Sequence, residues 1–323
     1  MSRNLQTSNM YLAKKLKIFF IFFSIIFFEA QKSWTLENKI LFKVDNEIIT
    51  TIDIYEEIKF LKTFNPEMNN LSETEIFEIS KNSILRERIK KLEIMKFVKE
   101  LEINEKFILK FIKGKYSKIG LNSLENFQNY LKENNLDFEV VKEKFTIEII
   151  WRDLIYQKFN DKVIINREKI KNEILQNPIK ENQKELLLSE IIFNATNKID
   201  YENKYEEILK DIEKLGFKKT ALIHSNSDTA TSGGLIGWIK ENNLNQNIRT
   251  ILSKLKIGQI SKPIRTSGGF IILKIEDEKK YKSNFNLDDK IAEVIKFKTD
   301  DQLNQFSNMY FNKIKKDLTI YGL

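Results

Sequence analysis

Apolar residues recur every three or four positions through most of the first half of the chain, which predicts amphipathic helices. The longest such stretch follows Ser72 and Glu75, a pair with the spacing of a capping box. Pro178 predicts the end of the last helix, because proline cannot continue one. Residues suited to cap these helices precede the apolar stretches: Thr51 or Asp53, Ser72, Asn104, Ser123, Asp137 and Asn166. Residues 36–180 are therefore predicted to be mainly helical.

The stretch from Ala221 to Ile275 has a different pattern. It contains six of the ten glycines, and glycine is used where the backbone turns tightly or approaches another chain segment closely. The predicted order is a polar loop (225–234), a short strand (235–239), an amphipathic helix with Leu244, Ile248, Ile251, Leu252 and Leu255 on one face, a C-cap at Gly258, and two strands (261–265 and 270–275). This is the pattern of a compact, turn-rich unit.

Short elements are also predicted near both ends. Residues 39–50 predict two short strands around a turn at 45–47. After Glu278 the pattern predicts either a strand or the start of a helix (292–297), then a helix (300–316) and a last strand (318–321). This C-terminal segment is too short to form a core of its own.

The N-terminus has the pattern of a targeting segment. Four basic residues precede an apolar run from Ile18 to Phe28, interrupted only by Ser24. The run is about half as long as a membrane-spanning helix requires. Residues 1–33 are therefore predicted to be a secretory signal peptide, with Ala30 as the candidate residue before the cut, although Phe28 is large for its position. An uncleaved anchor is the alternative, and either way the rest of the chain is exported.

Charge and residue types exclude several classes of function. The chain has 54 Lys and Arg residues and 46 Asp and Glu residues, which gives a net charge of +8. Charges of both signs alternate along the chain, and no stripe of basic residues indicates a nucleic-acid-binding surface. The absence of cysteine excludes disulfides and thiol catalysis. The one histidine, His224, is expected to be a packing or loop residue. We expect no metal, no cofactor and no nucleic-acid partner.

Three motifs, GG-x-x-G-W, G-Q-I-S-x-P-I and G-G-F-I-I-L-K-I, follow one another between Gly233 and Ile275. Their order and spacing resemble those of the parvulin family of PpiC-type peptidyl-prolyl cis-trans isomerases. The resemblance implies an FKBP-like α+β domain over residues 184–278. It also implies a first strand at Glu185–Phe193 and a helix from Tyr201 to Leu215.

The segment after the predicted signal peptide resembles the start of SurA-like periplasmic chaperones. The resemblance rests on Val44, Asn46, Ile49, Thr50 and Asp53. It implies a periplasmic folding factor of α+β class, with a helical chaperone domain over 36–180 that residues 281–323 complete. The implied partners are unfolded or proline-containing polypeptides, in particular outer-membrane proteins.

The parvulin resemblance also implies a site, and this sequence departs from the family there. The two family histidine positions carry Glu190 and Ile271, and the Cys or Asp position falls at Ser227 or Asp228. The candidate catalytic residues are therefore Glu190, Ser227 and Asp228. The candidate substrate-binding residues are Leu244 and Ile248 in the proline slot, with Trp238, Thr266, Phe270 and Ile271.

Glu190 is expected to be a buried carboxylate that pairs with Ser227, Thr266 or Ser267, or that has a raised pKa. Ile271 cannot form hydrogen bonds through its side chain, so the paired-histidine network is absent. The domain is thus expected to have weak or no isomerase activity and to act as a peptide-binding module. The alternative is a fully active isomerase foldase, either free or anchored to the inner membrane as in the PpiD and PrsA types.

Overall fold

The first half of the described chain consists of helices that follow a short hairpin. The structure is a computed structural model and describes residues 38–176, 182–282 and 286–322. The predicted signal peptide, residues 1–33, lies outside the described residues. The elements up to residue 176 are β1 (Ile40–Val44), β2 (Glu47–Thr50), α1 (Thr51–Phe64), α2 (Glu73–Ile94), α3 (Glu105–Lys118), α4 (Leu124–Glu133), α5 (Phe138–Phe159) and α6 (Arg167–Gln176).

The second half contains a four-stranded sheet, its helices and a long C-terminal helix. Its elements are β3 (Asn182–Phe193), α7 (Lys198–Leu215), α8 (Phe217–His224), β4 (Leu235–Lys240), α9 (Gln246–Leu252), β5 (Ile264–Thr266), β6 (Gly269–Lys282), α10 (Leu287–Asp317) and β7 (Ile320–Tyr321). Helix α10 is continuous, so residues 292–297 are helical and do not form a strand. Among the helices of the described residues, none is both long enough and apolar enough to cross a membrane.

Side-chain caps set the starts of the helices. Thr50, one residue before the predicted Thr51, is the N-cap of α1: its backbone N–H donates to Asp53 Oδ2 at 2.9 Å, and Asp53 N donates to Thr50 Oγ1 at 3.4 Å. The predicted capping box of α2 is confirmed, with Ser72 N donating to Glu75 Oε2 at 2.8 Å and Glu75 N donating to Ser72 Oγ at 3.3 Å. Each box satisfies backbone donors that a helix start leaves unpaired.

The two ends of the described chain meet in one sheet. Strand β1 lies between β2 and β7 and pairs antiparallel with both, with Val44 opposite Ile320. Behind this sheet, a core cluster combines residues of β1, β2, α1, α2 and α5 with Phe311 and Ile314 of α10. Trp151 at its centre is fully buried and stacks on Tyr310 with ring centroids 5.9 Å apart. From Ile40 onward the described residues belong to one compact unit.

The second sheet has the strand order β4-β3-β6-β5 and is antiparallel throughout. Side chains alternate between its two faces. One face packs against α9 and includes Leu188, Ile192, Ile271 and Leu273. The other packs against α7 and α8, with Ile191, Phe193 and Ile272 at its centre. The chain therefore has an α+β fold.

Some predicted boundaries differ from the structure around α9 and β5. Helix α9 begins after Asn245, whose Oδ1 accepts from Ile248 N at 2.9 Å, so Leu244 precedes the helix. Leu255 and Gly258 both follow its C-cap at Ser253. Strand β5 begins at Ile264 rather than at 261, because Pro263 has no N–H with which to pair.

Candidate active site

A chain of hydroxyl groups connects the loop after α8 to Glu190 on β3. Thr229 Oγ1 donates to Glu190 Oε1 at 2.9 Å, and Ser227 Oγ lies 2.7 Å from Thr229 Oγ1. Ser225 Oγ lies 2.9 Å from Ser227 Oγ and accepts from the backbone N–H of Ile192 at 3.1 Å. Ser225, Ser227 and Thr229 thus form a continuous chain of hydroxyl groups that ends at the Glu190 carboxyl group.

The environment of Glu190 changes its proton affinity. Burial raises the pKa of Glu190 to about 7, although hydrogen bonds from Thr229 and Ser227 lower it. The negative charges of Asp301 and Asp228 contribute to the rise. Both protonation states of Glu190 are therefore populated near neutral pH, and only the protonated one can donate a hydrogen bond.

Glu190 and Ile271 lie on the same face of the sheet, on neighbouring strands. In the antiparallel register Glu190 is opposite Leu273, and Ile192 is opposite Ile271. Residues two apart share a face, so Glu190 and Ile271 are diagonal neighbours. Ile271 is 9% exposed and belongs to the apolar cluster on this face. The pair thus combines a titratable carboxyl group with an aliphatic side chain.

The turn beside Glu190 requires glycine. Gly234 has φ +79°, and a Cβ at this position would lie 2.2 Å from the backbone O of Glu190. The backbone N–H of Glu190 donates to Gly234 O at 2.8 Å. The Gly233-Gly234 turn therefore brings the hydroxyl-bearing loop against β3 with no room for a side chain.

Asp228 forms its hydrogen bonds with residues of helices α2 and α10. Lys90 Nζ of α2 lies 2.5 Å from Asp228 Oδ1, and Ser307 Oγ of α10 donates to Asp228 Oδ2 at 3.2 Å. Burial alone would raise the pKa of Asp228, but the charges of Lys90 and Arg86 outweigh it, so the pKa is lowered. Asp228 is thus an ionised partner of a buried lysine.

Comparison with known proteins assigns this region. Residues 186–277 match the family described as Rotamase, PPIC-type PPIASE domain. The chain contains a parvulin domain. The chain is also 29% identical over 163 residues to Chaperone SurA of Nitrosococcus oceani, which covers 48% of this chain and 38% of the relative.

Two other proteins are similar to this chain. Foldase protein PrsA of Geobacillus kaustophilus is 31% identical over 179 residues, or 51% of this chain and 61% of the relative. A solved SurA-like chaperone of Campylobacter jejuni is 17% identical, with a TM-score of 0.34, and the match covers 88% of this chain and 99% of that chain. The chain spans about two-fifths of the length of the SurA relatives it matches.

The parvulin domain has an apolar floor next to the Glu190 network. Leu244 is buried and Ile248 half-buried, and both pack in the same cluster as Ile271. The structure thus brings together four predicted site residues of this face, Glu190, Leu244, Ile248 and Ile271. Ser227 joins them through Thr229.

Three other predicted site residues are placed elsewhere. Trp238 projects from the opposite face, where Lys279 Nζ lies 4.1 Å from its ring centroid. Phe270 packs with Tyr201 and Phe193 on that same opposite face. Thr266 donates its hydroxyl to Gly269 O at 3.0 Å within the β5–β6 turn. The structure therefore places Trp238 and Phe270 on the face opposite Leu244 and Ile248, the predicted proline slot.

The residue that donates to Glu190 and the groups that surround the loop are not among the predicted site residues. Thr266 donates to Gly269 O and Ser267 donates to Gln305 Oε1, whereas Thr229, in the same polar loop as Ser227, donates to Glu190. The three hydroxyl residues Ser225, Ser227 and Thr229 within five positions of the polar loop were a usable signal for a hydrogen-bonded cluster. Lys90, Asp301 and Ser307 come from distant helices, and no local pattern indicates them.

Proposed function

We propose that this chain is an exported folding factor that binds unfolded polypeptides, and that its parvulin domain has weak prolyl isomerase activity. The similarity to SurA chaperones and to a PrsA foldase supports the first part. Because the chain spans only about two-fifths of the SurA relatives, its activity and its clients are proposals.

The proposal of weak activity rests on the carboxyl group of Glu190 and the sec-butyl group of Ile271 at the two histidine positions. Rotation of an X-Pro amide has a barrier of about 20 kcal/mol, which C–N resonance sets. A protein lowers it by holding the proline ring and by donating hydrogen bonds to the twisted amide. Here Ile271 has no donor, and Glu190 can donate only when protonated. The expected activity is low and falls as Glu190 ionises.

Binding of proline-containing chains does not need the histidines. Leu244, Ile248 and Ile271 give this face an apolar surface that suits a proline ring. A site that binds peptides without strong catalysis suits a chaperone. We propose unfolded or proline-containing polypeptides as partners, and outer-membrane proteins as the particular clients.

We propose a domain layout in which residues 281–323 complete the helical chaperone domain of 36–180, while 184–278 form the parvulin domain. The pairing of β7 with β1 supports this layout. The burial of Trp151 against Tyr310 and Phe311 of α10 supports it as well.

We propose the periplasm as the compartment, from the charged and apolar pattern of residues 14–28, with anchoring to the inner membrane as the alternative. N-terminal sequencing of the cellular protein is expected to begin between Ala30 and Leu36. An intact Met1 on membrane-bound protein would favour the anchor.

The function is tested by two assays on the chain without residues 1–33. One follows isomerisation of a proline-containing peptide, and the other follows suppression of aggregation of an unfolded outer-membrane protein. We expect clear suppression and slow isomerisation. Glu190→His with Ile271→His is expected to raise isomerisation and leave suppression unchanged, with thermal unfolding as the folding control. Wild-type isomerisation at the rate of an ordinary parvulin would refute the proposal.

A further inference from the structure

Strand β4 forms one edge of the parvulin sheet. It has six residues, and among the described strands it pairs with β3 alone, in the antiparallel direction. The backbone groups of an antiparallel strand point alternately toward its partner and toward its other side. No further backbone–backbone hydrogen bond between described residues involves β4. About half of its N–H and C=O groups therefore point to the open side of the sheet.

The open side of β4 is sterically accessible. Leu235, Ile236 and Trp238 are 45%, 38% and 41% exposed. Gly237 lies between them with φ +114°, and a Cβ built there would meet no atom of the described chain within 4 Å. Four consecutive residues of this edge are thus open, and the described residues leave room beside them for another chain.

The side chains beside this edge include an apolar cross-strand pair. Trp238 lies opposite Leu187 of β3 in the register, and Leu187 is half-buried. Lys279 Nζ lies 4.1 Å from the centroid of the indole ring and pairs with Glu185 at 2.9 Å. Side chains on one face of a sheet contact their neighbours on the next strand. A strand added to β4 would therefore place a side chain next to the exposed part of Trp238.

The other edge strands of the described sheets have features that oppose further pairing. β5 has three residues, includes the exposed Arg265 and follows Pro263. β2 has four residues and begins at Glu47, and β7 has two residues. Short length, charges and proline are the usual means by which proteins prevent strand addition at an edge. Apart from Lys240 at its end, β4 has only one bulge, so it is the least protected of these edges.

The chemistry of the edge defines the partner that fits it. Residues 235–239 carry no charge, and Lys240 donates to Glu293 Oε2 at 2.8 Å. A charged segment would lose its hydration here without gaining an opposite charge. Exposed backbone donors and acceptors along a strand are complemented by a second extended strand. A bulky side chain opposite Gly237 would cover the glycine backbone. The matching partner is an uncharged extended segment with aromatic or branched side chains.

We propose that β4 accepts an extended segment of an unfolded client, which becomes a fifth strand of the parvulin sheet. This inference rests on the proposed binding of unfolded polypeptides, and it does not depend on isomerase activity or on proline. It names the client feature that is recognised, a segment in which apolar and polar residues alternate, as in the strands of outer-membrane barrels. The added strand lies beyond β4, separate from the proline slot at Leu244 and Ile248.

The test uses the chain without residues 1–33 and a fluorescent peptide, Thr-Tyr-Thr-Val-Thr-Tyr-Thr. Binding is measured by anisotropy, and amide hydrogen exchange of residues 235–240 is compared with and without the peptide. The control peptide is N-methylated on its backbone nitrogens, so it keeps the side chains and lacks the donors that strand pairing needs. Ile236→Lys places a charge on the edge, which opposes strand addition. Ile257→Lys is the matched control, because Ile257 is 54% exposed and lies outside β4.

We expect the peptide to slow exchange within residues 235–240 of wild type, and Ile236→Lys to bind it at least about tenfold more weakly. Ile257→Lys is expected to bind like wild type, and the N-methylated peptide is expected to leave exchange unchanged. Thermal unfolding checks that both variants are folded.

Three results would overturn strand addition and leave the proposed function intact. The first is binding that leaves exchange at 235–240 unchanged or that Ile236→Lys does not weaken. The second is the absence of peptide binding while the chain still suppresses aggregation. The third is slow exchange at 235–240 without peptide, in a dimer that Ile236→Lys dissociates, because a second copy would then occupy the edge. Loss of both peptide binding and aggregation suppression in wild type would instead overturn the proposed function.

Discussion

Replacing Glu190 with glutamine gives a pH-dependent change in stability whose size follows from the structure. Burial raises the pKa of Glu190 from 4.5 to about 7. The folded protein therefore holds this proton to higher pH than the unfolded chain does. The stabilising contribution is full below about pH 4.5 and is lost as the pH rises through about 7. At about 1.4 kcal/mol per pH unit, the loss reaches at most about 3 kcal/mol.

Glutamine has nearly the same shape and stays neutral, and its amide oxygen can still accept from Thr229. The Glu190→Gln variant is therefore expected to match wild type at pH 4.5 and to exceed its free energy of unfolding by up to about 3 kcal/mol at pH 8.5. Urea unfolding followed by circular dichroism at several pH values measures the difference. Glu202→Gln on the exposed side of α7, where the side chain is 55% exposed, is the matched control and is expected to show no such trend.

A difference in the free energy of unfolding between Glu190→Gln and wild type that is the same at both pH values would contradict a raised pKa of Glu190. So would a variant that is less stable than wild type at high pH, because the carboxylate would then be stabilised in the folded protein. In either case the pKa of Glu190 would not be raised.

Three further predictions concern the frame of the site. Gly234→Ala is expected to lower the free energy of unfolding by more than about 2 kcal/mol in chemical denaturation, because φ is +79° and the new Cβ would meet Glu190 O. Gly114 is a helical position where a new Cβ would have nothing within 4 Å. Gly114→Ala is the control and is expected to raise the free energy of unfolding by about 0.5–1 kcal/mol in the same assay. Trp151→Phe, which removes the 2.9 Å hydrogen bond from Nε1 to Ser307 Oγ, is expected to cost about 1–3 kcal/mol, and an unchanged midpoint would contradict that bond. Deletion of residues 318–323, which removes β7 from β1, is expected to broaden thermal unfolding of the helical part, while retention of one sharp transition would contradict its role in the sheet.

The helices could be predicted because their signals are local. Ser72 and Glu75 form the capping box that their spacing predicts. The two glycines of the 233–234 turn were also placed correctly, since positive φ leaves few alternatives to glycine. Helix α8 was not predicted, because it is only eight residues long and begins directly after Gly216. A glycine at that position indicates the end of a helix and not the start of a new one.

The site could be predicted only in part, because several of its contacts depend on packing between distant segments. The motif spacing placed Glu190 and Ile271 on neighbouring strands, and the structure has them there. The partner of Glu190, Thr229, depends on how the loop folds back onto β3. Lys90 and Asp301 are about 100 residues or more from Glu190 in the sequence, so they could be found only from the tertiary structure.

The measurement that tests the central claim most directly is the pH profile of prolyl isomerisation by the wild-type chain. If Glu190 is the remaining hydrogen-bond donor in a parvulin site without histidines, the rate on a proline-containing peptide will be low at pH 6 and will fall further as the pH rises through about 7. Glu190→Gln, whose amide keeps a donor at all pH values, is expected to show a flat profile. A wild-type rate at the level of an ordinary parvulin, unchanged between pH 6 and pH 8, would contradict the account.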